Sequence, residues 1–515
     1  MSVIQQELIF DTINEIHKSL EYNSIHKNFN VQHEFRKKMI IANESLTKNE
    51  KSEIITLLNK NHDYYKIIYN EGTKRICENC QEECFAIFYC ECCIRKYLQK
   101  NFQNWTSGNN DVDDLIQKCQ LESISPNKII EWISYDNLQN VNFLAEGIYS
   151  AEWVNGYETW NSKKQQLESS RSKRVILKRL RNVENANKSW FEETKSYFIT
   201  SSKWNSLIRY YGLTKDQLGY MLVMEELDMN LRSYLQNRTL SWKEIIKITQ
   251  DIIYALLRIH EENVIHKNLH SRNILFLKNK NQWHIGDLGF CGPADKTLDN
   301  IYGTLPYVAP EVIAGKEHTL ASDIYSLAML MWEISSGYPP FVNYEHDDYT
   351  FVIDVNDGMR PTIIPGTPLE YKELMEQCWN ADPIKRPNIN VIKDKINEMM
   401  NRAQQTDYNM NLTHIYSINS LIRNLKSKIY NIMDFCEPKN IIKAYPSIQV
   451  DLVDLSIPNN LVSENKIGQF DSPMLIVDDD DDEVSKPKRI YVEISDESDD
   501  DDVIIIQHKK IKVIN

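Results

Sequence analysis

Residues 266–275 read HKNLHSRNIL, and this stretch decides the fold. Upstream, Ile245, Ile248, Ile252, Leu256 and Ile259 recur three or four residues apart, which makes one apolar helix face. Downstream, residues 274–277 and 283–285 read as short buried strands on either side of a turn. An Asp-Leu-Gly turn follows at residues 287–289. Asn273 and Asp287, each at the end of a short strand, can converge on one metal bound to phosphate. Oxygen ligands of this kind suit a hard cation such as magnesium.

Composition sets outer limits. A chain of 515 residues has room for about two to four domains. Hydrophobic content of 42% and charged content of 26% allow an ordinary globular core. The start, MSVIQQELIF, lacks a basic segment followed by a long apolar one, so no secretory signal is expected. No stretch reaches the roughly 18 uninterrupted apolar residues of a membrane span. The expectation is a soluble, intracellular protein with no membrane contact. Net charge is −14. Residues 478–502 hold thirteen acidic and three basic residues, a balance of −10, so most of the excess sits in the tail. The near-neutral remainder argues against nucleic-acid binding.

Residues 1–75 are polar and helix-prone. Ile4, Leu8, Ile13 and Ile16, then Ile54, Leu57 and Leu58, predict short amphipathic helices, a scaffold or partner surface without chemistry. Residues 76–97 hold CENCQEECFAIFYCECC, numbered 77–93. Cys77 and Cys80 form one CxxC, and Cys90 and Cys93 form a second. Two such knuckles can give one zinc four thiolates, and the expected role is a structural staple. Cys84 or Cys92 could replace one ligand, and reduced thiols without metal are the alternative. Residues 98–139 read as a linker with one short helix, capped by Asn110 ahead of residues 111–119.

Over residues 140–395 several motifs follow in order. HKNLHSRNIL and the Asp-Leu-Gly turn resemble the HRDLxxxxN and DFG motifs of protein kinases. The resemblance implies an α+β bilobal protein-kinase fold, with a small β-rich lobe and a large helical lobe. The style is that of tyrosine-kinase-like proteins, and the N-terminal CxxC module resembles expanded fungal kinase-like families. The kinase aspartate that accepts the substrate proton aligns with Asn268, and the arginine before it with Lys267. Asn273 and Asp287, the metal-ligand positions, are intact. The Gly-rich loop is reduced to LAEGIYSAEW, residues 144–153, with Gly147 its one glycine. Ile148 aligns with the aliphatic residue above adenine. VILK, residues 175–178, matches the kinase VAIK strand and makes Lys178 the phosphate-binding lysine, while Ile176 replaces a small alanine. Glu193 in FEETK aligns with the helix carboxylate that pairs with that lysine, and Glu192 is the near alternative. Met224 takes the gatekeeper position, Glu225 to Leu227 the hinge, and Leu275 the place under adenine. The resemblance also implies that Glu311 pairs with Arg386, that Asp323 holds the catalytic-loop backbone, and that His266 is structural.

Beyond residue 396 a helical extension is expected to residue 439, then a disordered acidic tail over 440–515. Short aliphatic-rich runs beside acidic ones at 475–483, 492–498 and 499–506 resemble motifs that add a strand to a ubiquitin-like modifier. Basic runs at 486–489 and 509–512 read as nuclear import signals, so a cytoplasmic protein with nuclear entry is expected. Asn268 and the missing glycines together imply a pseudokinase that binds ATP and magnesium, or a protein partner, without efficient phosphotransfer. The rivals are an active Ser/Thr or Tyr kinase acting on protein substrates, and a scaffold acting through its tail.

Overall fold

Local chemistry sets the first elements of the chain. In the computed structural model, residues 29–154, 156–169, 172–236, 238–288, 302–342, 344, 348–405 and 439–440 are described, all within one unit spanning Met1–Val450. Helices α1 (Phe29–Ala42) and α2 (Lys48–Tyr69) share a small core of Ile40, Leu46, Ile54 and Leu58. Thr47 caps α2 in a reciprocal box. The Glu50 N–H donates to Thr47 Oγ1 at 3.3 Å, and Glu50 Oε2 accepts the Thr47 N–H at 2.8 Å. Strands β1 (Arg75–Ile76) and β2 (Glu83–Cys84) then pair antiparallel, ahead of α3 (Glu91–Asn101) and α4 (Asn110–Leu121).

The cap of α4 is Asn109, one residue before the position expected. Its side chain accepts the N–H groups of Asp111 at 2.9 Å and Val112 at 3.3 Å. Residues 98–139 are also more than a linker. Val112, Leu115, Ile116 and Cys119, at i, i+3, i+4 and i+7 on α4, enter the main apolar core.

The small lobe takes β3 (Glu131–Trp132), β4 (Leu138–Ala145) and β5 (Ile148–Trp153) in chain order. A separate hairpin follows, β6 (Tyr157–Asn161) with β7 (Gln166–Ser169). Then come β8 (Lys173–Arg179), helix α5 (Lys188–Lys203), β9 (Tyr210–Asp216) and β10 (Gly219–Glu225). Across the six-stranded sheet the order is β3-β9-β10-β8-β5-β4. Only β3 runs parallel to its neighbour, with Glu131 beside Gly212 of β9. A Cβ at Gly212 would lie 1.8 Å from the Glu131 carbonyl oxygen, so glycine is what lets β3 join.

Side chains alternate across this sheet with period two. Val175 and Leu177 of β8 pack on one face with Met221 and Val223 of β10. Ile176 packs on the opposite face with Tyr220, Leu222 and Met224, toward the large lobe. Lys178 shares that face by the same alternation.

The large lobe opens with β11 (Met229–Asn230), α6 (Leu231–Leu235) and α7 (Trp242–Glu261). All five residues of the expected apolar face on α7 are buried. Each such Ile or Leu contributes about 1.5–3 kcal/mol of burial. Strands β12 (Ile274–Leu277) and β13 (Gln282–Ile285) follow, and β11 joins them in a three-stranded sheet. The remaining elements are β14 (Tyr302–Gly303), α8 (Pro310–Ile313), α9 (Leu320–Ser336), α10 (Asp348–Asn356), α11 (Leu369–Cys378) and α12 (Ile389–Gln405). A short β15 (Lys439–Asn440) pairs antiparallel with β14.

The fold is thus α+β and bilobal, as the motifs imply. The helices expected before residue 29, the rest of the expected extension between 406 and 438, and the acidic tail lie outside the described residues. Among the described residues no helix is long and apolar enough to cross a membrane.

Candidate nucleotide and catalytic site

The catalytic loop follows α7 and is held by a carboxylate from α9. Asp323, 1% exposed, accepts the backbone N–H of His266 at 2.8 Å and that of Lys267 at 3.0 Å. His260 Nε2 lies 3.1 Å from the same carboxylate. Burial alone would raise the Asp323 carboxyl, but the His260 hydrogen bond and neighbouring partners hold it below its ordinary value. These two bonds fix Lys267 in the left-handed region, at φ 68°.

His266 is fully buried, and burial lowers its pKa. Its Nε2 faces the Gly286 carbonyl at 2.8 Å, and its Nδ1 faces the Asn268 N–H at 3.3 Å. That pair of partners selects the neutral ring with its proton on Nε2. The residue therefore ties the catalytic loop to the strand end before Asp287, a structural role. His270 is likewise buried, its pKa lowered to about 3, and its Nδ1 accepts the Arg272 N–H at 3.2 Å.

Asn268 is 3% exposed. Its Oδ1 accepts from Thr304 Oγ1 at 3.5 Å, and its Nδ2 has no partner among the described residues. Its carbonyl accepts Asn273 Nδ2 at 2.9 Å, which orients Asn273. Asp287 sits in the left-handed region, at φ 60°, and forms an ion pair with Lys178. Burial opposes the charge on Asp287, but the adjacent Lys178 ammonium holds the carboxyl below its ordinary value. The Asn273 carbonyl accepts the Gly286 N–H at 2.9 Å, so the start of β12 lies beside the strand end that carries Asp287 and its Lys178 partner.

Glu193 departs from the expected pairing. Its carboxylate is engaged by the Lys267 ammonium and by the Tyr197 hydroxyl. Lys178 is paired with Asp287 instead. The physical reason is reach. Lys267 projects from a loop pinned by Asp323, while Lys178 is engaged by the half-buried carboxylate of Asp287.

The apolar positions line up as the strand register requires. Ile148 stands directly opposite Lys178, and Ile176 opposite Met224. Ile148, Ile176, Leu227 and Leu275 are half-buried, and Met224 is buried. Glu225 ends β10 and donates its N–H to the Arg209 carbonyl at 2.9 Å. The β4–β5 hairpin closes through Glu146 and Gly147 alone, because Ala145 pairs with Ile148. Gly147 lies at φ 71°, a conformation that glycine adopts without strain. Phe143 and Leu144, just before this turn, are exposed.

Below the cleft, Arg386 grips Glu311 with two bonds of 2.6 and 2.7 Å, both partners buried. A second network was not visible in the motifs. Arg232 donates to Glu333 at 2.6 Å, to Tyr307 at 2.8 Å and to Ser271 at 3.2 Å. Tyr307 in turn donates to Glu333 at 2.6 Å. Arg232 is 39 residues from Ser271 and 101 from Glu333, so no local spacing announces it.

Away from the cleft, the sulfurs of Cys77, Cys80, Cys90 and Cys93 all lie within 4.8 Å of one another. Cys84 instead groups with Cys90 and Glu91.

A β-rich lobe over a helical lobe, with a lysine paired to an aspartate and an asparagine at the neighbouring strand end, defines a protein-kinase fold. Residues 147–396 match the family described as protein tyrosine and serine/threonine kinase. The chain therefore carries a protein kinase domain. It is 29% identical over 228 residues to the dual serine/threonine and tyrosine protein kinase of Danio rerio, covering 42% of this chain and 25% of that one. The human protein of the same name is 30% identical over 201 residues, covering 38% and 21%. The match thus spans about a quarter of the length of these relatives.

Proposed function

We propose that this domain is a signalling module that binds ATP with magnesium, or engages a protein partner, and transfers phosphate poorly. The observation that carries the reading is the Asn268 carboxamide, buried against Thr304 where a kinase holds its proton-accepting carboxylate. An amide accepts a hydrogen bond but takes no proton at neutral pH. Loss of a positioned general base lowers rate by about 10²–10⁴. The two-residue turn of β4–β5 offers fewer backbone amides to phosphate, and Lys267 lacks the fork of arginine. The nucleotide site fits its ligands in kind. Lys178 would hold the phosphates, and Asp287 and Asn273 would hold magnesium.

The second reading is a slow but active kinase acting on protein hydroxyls. Its support is the survival of Asn273 and of the Lys178–Asp287 pair, together with relatives named as dual serine/threonine and tyrosine protein kinases. Purified protein with labelled ATP and magnesium separates the two, beside Asn268→Asp and Lys178→Met. Turnover in the wild type that Lys178→Met abolishes would sink the impaired reading. Silence in the wild type with activity gained in Asn268→Asp would support it. A rise in melting temperature with ATP tests binding separately, because a ligand of the native state stabilises it. Action inside the cell, with nuclear entry and a ubiquitin-like modifier at residues 475–506, completes the proposal. Deleting residues 440–515 tests that part.

A further inference from the structure

The kinase reading leaves the cysteine cluster without a role. Cys77 and Cys80 flank the first turn after β1. Cys90 occupies the N-cap position of α3, and Cys93 lies in its first turn. The second knuckle thus places its thiols at the positive end of an eleven-residue helix.

The sulfur spacing identifies the ligand. Cys77 and Cys93 are 3.7 Å apart, and Cys80 and Cys90 are 3.6 Å apart. A disulfide would need about 2.05 Å. A tetrahedral zinc with Zn–S of about 2.3 Å sets its sulfurs roughly 3.8 Å apart. Cys77, Cys90 and Cys93 are buried, and all four cysteines are free thiols.

The cluster also has a neighbour from the kinase lobe. Hairpin β6–β7 forms a two-stranded sheet of its own, and such a hairpin is marginal in isolation. Trp160 of β6 packs against the cysteines, and Leu167 of β7 is buried with Ala86, Tyr89, Ile94 and Leu98. Asn79 donates to Cys93 Sγ at 3.4 Å and to Gln165 Oε1, in the hairpin turn, at 2.8 Å. Ser162 Oγ donates to the Phe88 carbonyl at 3.2 Å.

We infer that Cys77, Cys80, Cys90 and Cys93 bind one zinc ion as a tetrathiolate, and that the loaded knuckle is the dock that keeps hairpin β6–β7 ordered. Asn79 is a positioning residue that links a ligand sulfur to the hairpin turn. This inference is independent of whether the cleft transfers phosphate.

The test uses the full chain, purified without added metal. Native mass spectrometry is expected to show one zinc per chain, lost on denaturation. After chelation, cobalt(II) titration should restore one equivalent with the sulfur-to-metal absorption of a tetrathiolate. Cys92→Ser should keep that stoichiometry, and Asn79→Ala should weaken affinity by about 10-fold or more. Amide exchange across residues 159–169 should accelerate when the metal is removed and slow again when it is restored. Wild-type protein that takes up neither zinc nor cobalt would overturn the site. Metal uptake with unchanged exchange in the hairpin would overturn the docking role. Because the decisive titration uses unaltered protein, failure of a cysteine variant to fold does not obscure it.

Discussion

Lys267 of the catalytic loop holds the carboxylate of Glu193 on α5, so the helix carboxylate answers to the large lobe and not to Lys178. This pairing separates two residues whose roles would otherwise be coupled. Glu193→Gln is expected to change ATP affinity by no more than about two- to threefold. Lys178→Met should weaken it by about 10-fold or more, since a charge-assisted bond is worth about 1.5–3 kcal/mol. Calorimetric titration with ATP and magnesium checks this. Equal losses in both variants would mean that Glu193 and Lys178 pair in solution.

Glu311 and Arg386 form a buried two-bond ion pair. Removing one partner leaves an uncompensated charge, at a cost of about 3–5 kcal/mol. Glu311→Gln and Arg386→Met should each lower the midpoint of denaturant unfolding markedly. The double variant should lose much less than the sum. Additive losses would argue against a coupled pair.

Stability should fall with acid in a defined window. Burial, with smaller contributions from nearby cations, lowers His284 to about 4, below an ordinary value of 6.5. His62 is also lowered to about 4, by burial and by neighbouring His33. A depressed folded value means that the unfolded chain binds more protons between pH 4 and 6.5. Stability is therefore full above 6.5 and declines as pH falls toward 4. Asp287 and Asp323, also depressed, extend the loss below the ordinary carboxylate value of 3.8. Melting temperature measured from pH 8 to pH 4 checks the sign. A profile that rises on acidification would contradict it.

Gly212 is predicted to be intolerant of any side chain. Its hypothetical Cβ meets backbone at 1.8 Å, and backbone cannot rotate away as a side chain could. Gly212→Ala should cost about 1–3 kcal/mol or more, as overpacked sites do. Amide exchange at Ile133, whose N–H donates to the Leu213 carbonyl at 2.9 Å, should accelerate.

What could be read from the sequence was whatever lies close together along it. The His266, Asn268, Asn273 and Asp287 positions sit within about two dozen residues, so their motif was visible before any contact was known. The apolar face of α7 was visible for the same reason. The Glu193–Lys267 pair was not, because side-chain reach across a lobe leaves no trace in spacing. The spacing of Val112, Leu115, Ile116 and Cys119 did carry a signal, but Asp111, Asp113 and Asp114 made α4 look like a connector. Strand β3, at two residues, was too short to announce itself.

The position of α4 and β3 bears on how this protein can be divided. A fragment begun at residue 147, where the family match starts, would discard β3 and β4 and strip α4 from the shared core. It would bare a sheet edge on each flank and leave greasy surface facing solvent. The kinase half is grafted onto its N-terminal neighbour, and whoever cuts it free should place the scissors ahead of Arg75, so that the surface under hairpin β6–β7 stays with it.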